Sequence, residues 1–171
     1  GNPIIWKTGH SLVKAKIKET SAALAGEMSG HVFFNDSIDG RKRWYGFDDG
    51  LYSGARLLEI LSRSANPSAA LNALPDSVST PEQHIQMQEG QPHALIAQLQ
   101  KTAEFPGADR VVTIDGLRVE YPDGFGLMRP SNTTPVIVLR FEADNEAALK
   151  RIQAQFSEII LKAAPDVTLP F

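Results

Sequence analysis

At 171 residues, 42% apolar and 22% charged, the chain has the makeup of a globular protein: one domain, or a small domain plus part of another. A formal charge of −3 argues against nucleic-acid partners, which require clustered Lys and Arg, and no apolar run reaches the roughly 18–20 residues needed to span a bilayer. Cysteine is absent, which excludes disulfides and suits a reducing cytoplasm.

Gly1-Asn2-Pro3 carries neither an initiator Met nor the charged and apolar stretches of a signal peptide, so the sequence is expected to begin inside a longer gene product. Ile4-Ile5-Trp6 reads as a short buried strand that stops at Lys7-Thr8-Gly9-His10. A helix follows, with Leu12, Val13, Ile17 and Leu24 at roughly helical spacing. Gly26 to Gly30 is a break, and His31-Val32-Phe33-Phe34 a second strand. Asp36 to Arg43 is a polar loop of mixed charge. Asp48 or Asp49 can cap the next helix, whose Leu51, Ala55, Leu58 and Leu61 share a stripe. These strands look parallel, and as a partial sheet they bury too little area to stand alone.

Pro67, Pro75 and Pro81 punctuate a stretch that runs to Asn, Pro, Ser and Asp, read as the linker 67–81 between segments 1–66 and 82–171. Beyond it, Gln83 to Gln88 alternates as a half-buried strand with Ile85 and Met87 inward. Pro92 suits the first turn of a helix carrying Leu95, Ile96, Leu99 and Ala103. Strands are expected over Arg110 to Ile114, Leu117 to Tyr121 and Gly124 to Met128, the first two joined by a two-residue turn at Asp115-Gly116. Pro135 opens the most apolar strand, Val136 to Phe141. A last helix carries Leu149, Ile152, Phe156, Ile159 and Ala163. The second segment therefore reads β-α-β-β-β-β-α, a complete α+β domain after a partial α/β one.

Three loops hold residues suited to binding. In Gly26-Glu27-Met28-Ser29-Gly30-His31, flanking glycines let the backbone approach a ligand. Glu27 and Ser29, two apart in an extended loop, would point the same way and read a sugar diol; a Gly-rich turn with an exposed Glu has the same composition. In Arg129-Pro130-Ser131-Asn132-Thr133-Thr134, a guanidinium can grip phosphate in bidentate fashion while hydroxyls, an amide and loop N–H groups complete an anion nest. An ordinary Ser/Asn turn shares that polarity. In Lys7-Thr8-Gly9-His10, between strand and helix, His10 can hydrogen-bond a phosphate or sugar oxygen. His31 is a candidate proton carrier or a structural donor.

Together these runs resemble the α-D-phosphohexomutases, and among them the bacterial phosphomannomutase/phosphoglucomutase type. Gly26 to His31 is similar to their sugar-recognition loop, Trp6 to Ser11 and Trp44 to Gly50 to other stretches of their third domain, and Arg129 to Pro135 to the phosphate loop of their fourth. The order agrees from Gly1 to Phe171. The resemblance implies the C-terminal part of domain 3 in a mixed α/β arrangement, then domain 4 with a TATA-binding-protein-like sheet and helices on one face.

It further implies an enzyme interconverting hexose 1-phosphate and hexose 6-phosphate, glucose and/or mannose, through a bisphosphorylated sugar. Glu27 and Ser29 would hold the hydroxyls at C3 and C4, which glucose and mannose share. Arg129, Ser131, Asn132 and Thr133 would bind the phosphate not being transferred, and His10 and His31 would line the cleft. Two family parts are absent: the phosphoserine loop Ser-His-Asn-Pro and the Mg²⁺ loop Asp-x-Asp-x-Asp. Mg²⁺ and a bisphosphorylated hexose activator would therefore serve the full-length enzyme, with none bound by this portion, which is expected to be inactive alone. Its partners would be hexose phosphate and upstream domains of the same polypeptide. The stretch Asp36 to Arg43 is longer than the family pattern leads one to expect. A non-catalytic sugar-phosphate binding or interaction module is the alternative reading.

Overall fold

Helical spacing and turn chemistry account for most of the first body. The computed structural model describes residues 1–171, in two bodies, residues 1–75 and 76–171. Helix α1, His10–Thr20, starts after Gly9, whose φ of 129° few side-chain-bearing residues adopt. Val13 and Ile17 bury against Phe33, which is wholly enclosed. Left-handed Ser21 ends the helix, so Leu24 lies not on it but on strand β1, Leu24–Gly26, where it is exposed. Strand β2, Val32–Phe34, pairs antiparallel with β1. The parallel expectation fails because a connection this short can only reverse the chain; a parallel crossover needs about a dozen residues.

Ile4-Ile5-Trp6 is not a strand, and Ile4 and Ile5 are exposed. A strand needs a neighbouring backbone to satisfy its N–H and C=O groups, and no strand of this chain lies beside these residues. The polar stretch after Asp36 is a second hairpin, β3 Ser37–Ile38 with β4 Arg41–Lys42, turned by Asp39 and Gly40, both at positive φ. Helix α2, Gly50–Ser62, is capped by Asp49, whose carboxylate accepts the Tyr52 N–H at 2.7 Å. Its apolar stripe is present but no residue of it is buried, and Leu51 is 89% exposed. Residues 67–81 are not wholly irregular. Helix α3, Pro67–Asn72, is capped by Asn66, and strand β5, Val78–Ser79, already belongs to the second body's sheet.

The second body contains β6 Gln83–Gln86, α4 Gln91–Thr102, β7 Arg110–Val112, β8 Leu117–Tyr121, β9 Gly124–Pro130, β10 Val136–Ala143 and α5 Glu146–Ala163. This is the order the apolar periodicity predicts. The antiparallel sheet runs β5-β10-β9-β8-β7, and β6 also pairs with β10. Between β5 and β6 lies Pro81, which has no N–H to give the ladder. The Thr80 hydroxyl accepts the Phe141 N–H at 3.1 Å, so β10 keeps a bonded partner there.

Inward residues of the sheet (Ile85, Leu117, Val119, Met128, Ile137, Leu139 and Phe141) share one core with Leu95, Ile96 and Leu99 of α4 and Leu149, Ile152, Phe156 and Ile160 of α5. Both helices therefore cover the same face. The β7–β8 connection spans residues 113–116, longer than a two-residue turn. Gly116 at φ 88° closes it, in a place where a Cβ would sit 2.3 Å from the Met128 carbonyl oxygen. No helix is long and apolar enough to cross a membrane.

Candidate functional site

In the first body the β1–β2 turn draws the predicted groups together. The Glu27 N–H donates to the His31 carbonyl at 2.9 Å and the Gly30 N–H to the Glu27 carbonyl at 3.0 Å, with Gly30 at φ 90°. Glu27 to Gly30 is thus a reverse turn rather than an extended loop, so the two-residue alternation assumed for Glu27 and Ser29 does not apply. Ser29 is exposed. Glu27 folds back, and its Oε1 accepts the Gly9 N–H at 2.7 Å. This bond ties the hairpin turn to the loop at the start of α1, where exposed His10 is the first helical residue. A carboxylate has about four acceptor sites, so Glu27 can hold Gly9 and a vicinal diol together.

His31 follows that turn, its Nδ1 2.6 Å from Asp48 Oδ2. Asp48 is fixed by a backbone bridge to Phe33, and its other oxygen lies 3.9 Å from Lys14 Nζ. The hydrogen bond from His31, with a smaller contribution from Lys14, holds the Asp48 carboxyl below the usual range. Sequence reasoning missed this partnership. Either member of Asp48-Asp49 can cap a helix; Asp49 does so, and Asp48 is left for the imidazole.

The segment after β2 is braced against α2. Trp44 stacks on Tyr52 with centroids 4.1 Å apart, the Tyr52 hydroxyl donates to Asp36 at 2.9 Å, and Arg43 and Arg56 both reach Glu59. Residues 36–43 form a hairpin whose base is pinned to this helix.

In the second body, Arg129 lies near the end of β9, its side chain only 13% exposed, with Nε 3.2 Å from Asp115 Oδ2. That contact orients the guanidinium through Nε. Residues 131–134 link β9 to β10. The Ser131 hydroxyl is their hub: the N–H groups of Thr133 and Thr134 each approach it at 3.3 Å, and the Thr134 hydroxyl at 3.0 Å. Asn132 and Thr133 are exposed. Ser131 N–H donates to the Val136 carbonyl at 2.9 Å, closing the loop's base. The two loop N–H groups thus converge on the Ser131 hydroxyl and give the segment an internally bonded turn.

The family model for the alpha/beta/alpha domain III of phosphoglucomutase/phosphomannomutase matches residues 1–78, and that for the C-terminal domain matches residues 83–159. The chain belongs to the phosphoglucomutase/phosphomannomutase family. It is 58% identical over 171 residues to a phosphoglucomutase of Neisseria meningitidis serogroup A, covering 99% of this chain and 36% of the relative. It is 52% identical to a phosphomannomutase/phosphoglucomutase of Pseudomonas aeruginosa, covering 100% of this chain and again 36% of the relative. A crystal structure of a phosphoglucomutase/phosphomannomutase family protein from Burkholderia thailandensis superposes with a TM-score of 0.90 at 64% identity, over 100% of this chain and 35% of that one. The chain thus spans about a third of the length of the relatives it matches and corresponds to their third and C-terminal domains.

Proposed function

We propose that this chain is the sugar- and phosphate-recognising C-terminal portion of a phosphohexomutase, an enzyme that interconverts hexose 1-phosphate and hexose 6-phosphate of glucose and/or mannose through a bisphosphorylated intermediate. The observation that carries the reading is the Glu27 turn, a carboxylate and an imidazole held at one hairpin end by bonds to Gly9 and Asp48, in a chain matched along its length to this family. Glu27 and Ser29 receive the sugar hydroxyls, His10 contributes a further donor, and His31 moves a proton to or from the reacting hydroxyl. Arg129, Ser131, Asn132 and Thr133 hold the phosphate that is not transferred. Phosphoryl transfer depends mainly on positioning and charge stabilisation, so a distal anion clamp contributes directly to rate.

Mg²⁺ and a bisphosphorylated hexose activator are assigned to the full-length enzyme. No three His, Cys, Asp or Glu side chains of this chain gather into a metal-binding set. The exposed apolar stripe of α2, with Leu51 and Leu58 two turns apart, suits packing against upstream domains of the same polypeptide. A cytoplasmic location fits the charged substrate and the cysteine-free chain.

The test is turnover. The full-length polypeptide should convert glucose 1-phosphate to glucose 6-phosphate when given the bisphosphate activator, and the 171-residue chain should not. Turnover by the chain alone, or none by the full-length protein with any hexose phosphate, would overturn the proposal.

A further inference from the structure

The Asp48 carboxylate is poised on His31 by structure on both sides. His31 leaves the turn with its carbonyl bound by the Glu27 N–H, and Asp48 is bridged to the enclosed Phe33 immediately before the cap of α2. The two side chains therefore meet because their backbones are fixed, and they do so at 2.6 Å. An ionised carboxylate only accepts hydrogen bonds, so the neutral imidazole must place its hydrogen on Nδ1, leaving the Nε2 lone pair outward. His31's side chain is 49% exposed whereas Asp48's is 22% exposed, so the outer nitrogen is reachable and the inner pair is sheltered. Of the charged groups around Asp48, Lys14 from α1 faces its second oxygen. Asp49 is turned away to the Tyr52 N–H, and Glu27 to the Gly9 N–H.

We propose that Asp48 is a positioning residue that locks His31 in the Nδ1–H tautomer and so makes Nε2 the atom that exchanges a proton with a hexose hydroxyl. In that exchange the O–H bond breaks with its electron pair left on oxygen. The Nε2–H bond forms from the nitrogen lone pair, and the imidazolium charge is met by Asp48. The reverse transfer returns the proton. The inference rests on the proton-carrying role given to His31 above, and its test separates the two.

The full-length polypeptide is labelled with [¹⁵N]histidine, and long-range ¹H–¹⁵N correlations report the His31 tautomer at a pH where the ring is neutral, with His31→Gln identifying the signal. The wild type should show the Nδ1–H form. Asp48→Asn should lose it, because an amide can donate as well as accept. A wild-type Nε2–H form, or a tautomer indifferent to Asp48→Asn, would overturn the proposal. In turnover, Asp48→Asn should lower kcat by roughly 100-fold or more with KM nearly unchanged, as loss of a correctly poised acid–base group does, and Asp48→Glu should recover part of it. A changed tautomer with undiminished kcat would overturn the proton transfer at Nε2, whereas loss of hexose phosphate binding by the wild type would instead remove the functional reading beneath it.

Discussion

Replacing Gly126 with alanine should loosen the second body measurably, although it adds one methyl group. On the β9 backbone that Cβ would lie 2.4 Å from Phe156 Cε2, 2.6 Å from Cζ and 3.1 Å from Ile152 Cγ2. Carbon atoms in contact prefer about 3.5–4.0 Å, so the ring must retreat by more than an ångström. It has little room to do so: Phe156 is fully buried, edge-on to Phe141 at 5.2 Å and tilted against Phe105 at 5.2 Å. Overpacking of this kind costs about 1–3 kcal/mol, and the enclosure of the ring argues for the upper half of that range. Urea titration followed by circular dichroism should show a lower midpoint at an unchanged slope. Phe156→Leu should destabilise the wild type by opening a cavity but should be nearly neutral in the Gly126→Ala background, where the methyl fills the space. Arg129 lies three residues further along the same strand, so phosphate affinity should fall with Gly126→Ala and recover with the pair. Stability within about 0.5 kcal/mol of the wild type, the ordinary range for a surface change, would refute the reasoning.

Asp49→Ala should lower the melting temperature of the first body, because it removes an N-cap worth about 1 kcal/mol, while Asp48→Ala leaves α2's cap intact. Burial pushes the Tyr121 hydroxyl up to about 12, above its unfolded value near 10. The neutral phenol therefore stabilises the fold fully below pH ~10, and that contribution drains away as the pH rises toward 12. Denaturation midpoints across this range should fall less steeply in Tyr121→Phe than in the wild type, even though the variant also loses the hydroxyl's bond to Gln155.

The second body was readable because its signals are local and repeated. Leu95, Ile96 and Leu99 mark one helix, and Val136 to Phe141 is an apolar run bounded by Pro135. The last helix lies where the periodicity puts it, with Ile160 fully buried near its end and Ile159 partly buried against the same core. The first body was less readable. Ile4-Ile5-Trp6 has a strand's composition without a neighbour to pair with, and Leu24 fits a helical spacing that Ser21 interrupts. The stripe on α2 was legible, but a periodic pattern says only that a face can be covered, not that this chain covers it.

Of the candidate site, the residue types were legible and their arrangement was not. Glu27, His31 and Arg129 stood out as charged or titratable groups in Gly- or Ser-rich loops. That Glu27 turns back onto Gly9 follows from a hairpin whose register depends on tertiary packing. The Asp48 contact joins residues separated by a hairpin and an aromatic loop, and no spacing rule reaches so far. Nor does composition reveal that Arg129 is oriented by Asp115, which arrives from the adjoining β7–β8 connection.

Calorimetric titration of the full-length polypeptide with glucose 1-phosphate, and separately with inorganic phosphate, divides recognition between its two loops most directly. Arg129→Ala should weaken both ligands, by roughly 10- to 100-fold for a lost charge-assisted contact of about 1.5–3 kcal/mol. Glu27→Gln should weaken glucose 1-phosphate while leaving inorganic phosphate unchanged. Equal losses for both ligands in Glu27→Gln, or unaltered affinity for both in Arg129→Ala, would contradict a carbohydrate contact at one loop and an anion clamp at the other.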